Sequence, residues 1–139
     1  MQITDWTEPY LAEFENSWTK YREMVAKGIS KYAEVEVRDL FQELSLISAH
    51  SEVRLSVLES QRDNSKFQLH LLQIKLLRVF DTGAMNKRVA QVENDKEYQT
   101  ALEVLQDKEN DLTVGKAYSR AAELASNALS REISARLKG

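Results

Sequence analysis

The sequence predicts an all-α protein: a long helical hairpin preceded by an aromatic-rich N-terminal helix, assembling with copies of itself through coiled-coil-like packing. Three observations lead there. Neither Pro nor Gly occurs between Gly28 and Gly83, and these are the residues that interrupt helices. Apolar residues recur at steps of three and four along most of the chain, the spacing of helix faces. Pro9 falls near the start of one such segment, while Gly28 and Gly83 fall at the ends of two, the asymmetry expected of helix boundaries.

The first helix is expected over 7–28. Thr7 suits the N-cap and Pro9 the first turn, where its missing N–H costs nothing, and Trp6 and Leu11 would form a hydrophobic staple across that start. Trp6, Tyr10, Phe14 and Trp18 recur every four residues, and Tyr21 and Val25 continue the same side. Gly28 is placed to end the helix and Ser30 to open the next element.

The second helix is expected over 31–80. Steps of four and three through Val37, Phe41, Leu44, Ser48, Ser51, Leu55, Leu58, Arg62, Ser65, Leu69, Leu72, Leu76 and Val79 trace a heptad-like stripe. The lapses at Ser48 and Ser51 and at Arg62 and Ser65 mark either close approach by small residues or a break near 61–65. Unbroken, this helix would extend about 75 Å and would need a partner along its length. Val35-Glu36-Val37 alternates like a strand, but three residues do not make a sheet. Asp81-Thr82-Gly83 ends the run, 84–94 reads as a basic connector carrying Lys87 and Arg88, and a C-terminal helix is expected over 95–138. Asn94 or Asp95 can cap it, Glu97 suits its first turn, and Gly115 is a possible kink.

Composition restricts function more than it names it. At 139 residues the chain is read as a single helical domain, 1–139. Zero Cys removes disulfides, thiolate nucleophiles and cysteine zinc sites. His50 and His70 lie on different sides of one helix and read as surface or core-edge residues, so no metal ligand set is identified. Gly28, Gly83, Gly115 and Gly139 are too dispersed for a phosphate-cradling loop. With no convergent catalytic set, no enzymatic activity, catalytic residue, metal or cofactor is expected. No basic, apolar signal segment opens the chain and no apolar run approaches the length of a membrane span, so the expectation is a cytoplasmic protein with no membrane partner.

Charge is unevenly distributed. Acidic against basic residues number 6 to 4 over 1–35, 6 to 6 over 36–80, 8 to 4 over 81–115, and 2 to 5 over 116–139, within a net charge of −3. At 100° per residue, Lys116, Arg120, Asn127, Arg131, Ser134 and Lys138 fall within about 60° of one another, diluted by Glu123. Such a stripe can follow a phosphate backbone; equally, it can be a solvated face with cations near a helix C-terminus. The opposite side carries Val114, Tyr118, Ala121, Ala125, Ala128 and Leu129, where alanines permit close helix approach. Glu132 and Arg136 fall in the middle of that apolar side, four apart with Glu first. They read as a register-fixing pair at a packing or subunit interface, or as water-facing groups on a frayed end. The aromatic stripe of the first helix could stack bases, but four-residue spacing without neighbouring cations favours a face buried against other helices.

The stretch from His50 through the helix end at Phe80-Asp81-Thr82-Gly83, the connector Asn86-Lys87-Arg88-Val89, then Glu93-Asn94-Asp95-Lys96-Glu97-Tyr98 and Ser130-Arg131-Glu132-Ile133-Ser134-Ala135-Arg136 together give a layout that resembles the small phage recombination-mediator proteins of the UvsY type. The likeness covers about 36–137. It implies a homo-oligomer in a phage-infected bacterial cell that binds single-stranded DNA, displaces the single-strand-binding protein and helps load a RecA-like recombinase. By the same resemblance the DNA contacts map onto Lys87 and Arg88 in the turn and onto Arg131 and Arg136. The net charge of −3 and the aromatic N-terminal helix depart from that pattern.

The leading expectation is therefore an oligomeric DNA-binding recombination mediator. Its cations would be Lys87, Arg88, Lys116, Arg120, Arg131, Arg136 and Lys138. Its oligomer or partner interface would include Trp6, Tyr10, Phe14, Trp18, Leu55, Leu58, Leu69, Leu72 and Glu132. The competing classes are a phage adaptor or inhibitor whose aromatic stripe grips a host protein, and a structural helical protein of the virion.

Overall fold

A computed structural model describes residues 4–138, with side chains from residue 12 onward. Four α-helices follow one another: α1 (Thr4–Lys27), α2 (Glu34–Val79), α3 (Met85–Glu93) and α4 (Lys96–Lys138), with a single 3-10 turn at Ile29–Lys31 between α1 and α2. There is no strand among the described residues, so the all-α expectation is met, and Val35-Glu36-Val37 lies within the first turns of α2.

The helix ends follow local chemistry. α1 begins upstream of Thr7, which is therefore an interior residue and not the expected cap. Pro9 falls in the second turn, at the cost of one backbone hydrogen bond. The Trp6–Leu11 staple and the side chains of Trp6 and Tyr10 lie outside the described residues. Gly28, at φ 96°, supplies the backbone that turns the chain out of α1, a conformation strained for any residue with a Cβ. α2 opens with the carboxylate of Glu36 accepting the Ala33 N–H at 3.3 Å, the return half of a capping box. At α4, Asp95 and not Asn94 is the cap: its Oδ1 accepts the N–H groups of Glu97 at 2.9 Å and Tyr98 at 3.2 Å.

Two differences from the sequence reading concern continuity. α2 runs unbroken through 61–65, because nothing there removes a backbone donor and the polar Arg62 and Ser65 are only half-buried. The segment 84–94, expected as a connector, is itself helical over Met85–Glu93. Gly115 does not interrupt α4.

The helices contribute to two compact units, Thr4–Leu55 with Thr113–Gly139, and Ser56–Leu112. In the first, α1 lays Phe14, Trp18, Tyr21 and Met24 against one side of an antiparallel α2/α4 pair. Met24, Val37, Leu40, Leu44, Ala125 and Leu129 form one buried cluster, and Phe14, Ile47 and Ala122 another. Phe14 stacks on Trp18 at 5.7 Å between ring centroids and meets Tyr118 edge-on at 4.9 Å, arrangements that aromatic quadrupoles favour. Ala122 and Ala125 are almost fully buried, which places the alanine-rich side of α4 inward as its sequence spacing implies. Ser45 and Ser126 share a hydroxyl hydrogen bond of 2.8 Å across the pair.

In the Ser56–Leu112 unit the α2/α4 pair is again antiparallel, and Leu58, Leu76, Val92, Leu105 and Leu112 are buried. Lys108 donates to Gln61 at 3.4 Å. The α2–α3 turn is closed by Arg88, whose Nε donates to the Phe80 carbonyl at 2.6 Å while Nη2 donates to the Leu77 carbonyl. Carbonyls at the end of α2 have no helical partner of their own, and the guanidinium fork supplies one together with a favourable charge.

Candidate nucleic-acid interface

α4 separates its two sides sharply within the Thr113–Gly139 segment. Ser119, Ala122, Ala125, Ser126 and Leu129 are buried, whereas Lys116, Arg120, Asn127, Arg131, Ser134 and Lys138 are exposed on the other side. The burial of the first set against α1 and α2 fixes which way the second set points. Lys116, Arg120, Arg131 and Lys138 take part in no ion pair among the described residues, so their charges face solvent unneutralised. From Lys116 to Lys138 the face extends about 33 Å at the helical rise, with Glu123 exposed within it. Lys87, in α3 of the other unit, is also exposed.

The other two basic residues singled out from sequence are occupied within the fold. Arg88 holds the end of α2 as described. Arg136 is half-buried and donates from Nε to Glu132 Oε1 at 3.0 Å, and from Nη2 to the carbonyls of Ile29 at 3.0 Å and Tyr32 at 2.8 Å. It ties the C-terminal end of α4 to the turn between α1 and α2. The spacing of Glu132 and Arg136 revealed their pairing; the backbone carbonyls that complete the site come from residues more than a hundred positions away.

The apolar residues assigned to an interface also lie mainly inside the chain. Phe14 and Leu58 are buried, and Trp18, Leu55, Leu69 and Leu72 are half-buried. From Val37 to Leu76 the apolar members of the 37–79 stripe are buried or half-buried within the chain, while Val79 is exposed. A second row, at the same four-and-three spacing but on the far side of α2, is the exposed one: Phe67, Leu71 and Ile74 are 56%, 44% and 39% accessible. Its signal was present in the sequence, but the richer inner stripe obscured it.

Among the described residues no group of His, Asp or Glu is arranged to hold a metal ion, and no helix is long and apolar enough to cross a membrane. The clefts are shallow. One of about 800 Å³ lies between α2 and α4 beside Leu71, Leu72, Lys96 and Ala101, and converges no nucleophile, base and oxyanion donor. What the α4 face offers chemically is a row of exposed donors and positive charge suited to anionic oxygens. Comparison with protein-family models, curated proteins and solved structures found no match for the chain.

Proposed function

We propose that this chain is a non-enzymatic, self-assembling helical protein that binds the sugar-phosphate backbone of single-stranded DNA, and that it serves as a recombination mediator helping to load a RecA-like recombinase in place of a single-strand-binding protein. The observation that carries the DNA-binding part is the exposed, unpaired row Lys116, Arg120, Arg131 and Lys138 on the side of α4 opposite its buried face. The mediator role rests on the UvsY-type layout. Lys87 is a further candidate contact; Arg88 and Arg136 are assigned to holding helix ends. A net charge of −3 does not oppose the reading, because local potential depends on the arrangement of charges and not on their sum.

Titration of a fluorescent single-stranded oligonucleotide tests this. Four phosphate contacts give a slope of about −3 in log affinity against log salt, so affinity falls roughly 50-fold between about 50 and 200 mM salt. Reversing Arg120 and Arg131 to Glu should abolish most of the binding and flatten the slope. No binding of the wild-type chain at the lower salt removes the proposal.

A further inference from the structure

α2 carries apolar residues on two nearly opposite sides within the Ser56–Leu112 unit. Leu58, Leu69, Leu72 and Leu76 face inward, while Val57, Phe67, Leu71 and Ile74 are 42%, 56%, 44% and 39% accessible. A helix with apolar residues on both sides is ordinarily covered on both. In the Thr4–Leu55 unit α1 and α4 pack on α2, while Val35, Leu46 and Val53 of that helix stay exposed. In the Ser56–Leu112 unit the outer row stays open to solvent, with Leu71 at the rim of the α2/α4 cleft and Phe67 beside a second cleft that Leu105 also lines.

We infer that this row is a homodimer interface in which α2 packs antiparallel against α2 of a second copy, with Leu71 on the two-fold axis. Three features select a second copy as the occupant. The row steps by four and three from Phe67 through Leu71, Ile74 and Arg78, so an identical row presents knobs at the spacing its own holes require. Charge selects the direction. Arg78 lies in line with the apolar residues and is exposed; a parallel pair about a two-fold axis would set two Arg78 side chains opposite each other, whereas the antiparallel pair sets Arg78 against Asn64 and Phe67 against Lys75, beside Ile74, of the second copy. Area is of the right order once the rim is included. The four exposed side chains leave on the order of 300 Å² per copy, as large as the biggest apolar patch usual on a monomer, and the rim of Ser60, Asn64, Lys75 and Arg78 extends it toward the ~800 Å² per partner of a stable interface.

The inference rests on the self-assembly named in the proposed function and is independent of DNA contact. Its test uses the full chain without DNA, so failure of either idea leaves the other standing. Sedimentation equilibrium should find a dimer whose dissociation constant rises about 30-fold or more in Phe67→Glu and Leu71→Glu, the loss expected at a buried interface centre, with circular dichroism unchanged because both residues are exposed in the monomer. The chain has no Cys, so Leu71→Cys places a single thiol per copy. Mild oxidation should give a covalent dimer from Leu71→Cys, whose two Cα atoms approach to disulfide range at the axis, and none from Glu103→Cys on α4. A wild-type chain that stays monomeric to about 100 μM overturns the inference. So does a dimer unaffected by Phe67→Glu and Leu71→Glu, and a Leu71→Cys chain that fails to cross-link overturns the antiparallel register.

Discussion

Arg131 and Arg136 stand five positions apart on one helix and carry the same charge, yet their surroundings give them different work. Arg131 projects into solvent, while Arg136 is enclosed by Glu132 and by the carbonyls of Ile29 and Tyr32. Hydrogen bonds to a charged group contribute about 1.5–3 kcal/mol each way of counting, and removal of Arg136 also leaves Glu132 without its partner. Arg136→Ala should therefore cost about 2 kcal/mol and lower Tm by roughly 5–10 °C, whereas Arg131→Ala should stay within about 0.5 kcal/mol of the parent. Single-stranded DNA affinity, measured well below both melting temperatures, should reverse the order: weaker for Arg131→Ala and unchanged for Arg136→Ala. Equal melting of the two variants would contradict the assignment of Arg136 to the turn. The sequence could show that Glu132 and Arg136 pair, because their spacing is local. It could not show the turn carbonyls, 104 and 107 positions away, and so could not separate this arginine from the exposed ones.

At the scale of elements, the identity and direction of the helices were legible and their junctions less so. Periodicity and the absence of Gly and Pro located α2 and α4, and the alanines of α4 correctly marked the side that another helix approaches closely. The polar Arg62 and Ser65 leave continuity open in the sequence, since lapses in a stripe fit either close approach by small residues or a break; half-burial accommodates them with the helix intact. α3 was missed because its start has no side-chain cap, and the guanidinium of Arg88 that steadies its junction with α2 acts across the turn. The packing of α1 on α4 supplies a direct test. Ala122 is fully buried in a cluster with Phe14 and Ile47, so Ala122→Leu forces extra volume between α1, α2 and α4 and should cost about 1–3 kcal/mol. In a Trp6→Phe background Trp18 is the one remaining Trp, and its emission should shift to the red and become more accessible to quencher as α1 is displaced. Ala117→Leu, on the exposed side of α4, should leave both stability and emission nearly unchanged.

Across the whole molecule, burial is divided unequally between the two units. The Thr4–Leu55 and Thr113–Gly139 unit buries Phe14, Met24, Val37, Leu40, Leu44, Ile47, Ala122, Ala125 and Leu129 in clusters fed by three helices. The Ser56–Leu112 unit buries Leu58, Leu76, Val92, Leu105 and Leu112. Local opening free energy follows buried apolar surface, so amide hydrogen exchange at low protein concentration should be markedly slower over 36–50 and 118–132 than over 62–78 and 98–108. Concentration then becomes informative. If a second copy covers the outer row of α2, protection over 62–78 must rise as the chain is concentrated, because binding to the folded form stabilises it by mass action, while protection over 118–132 stays constant. The same measurement with single-stranded DNA added should do the converse, slowing exchange along 116–138 ahead of 62–78. A uniform pattern at every concentration would mean that the two units open together and that the exposed row of α2 gains no cover from assembly.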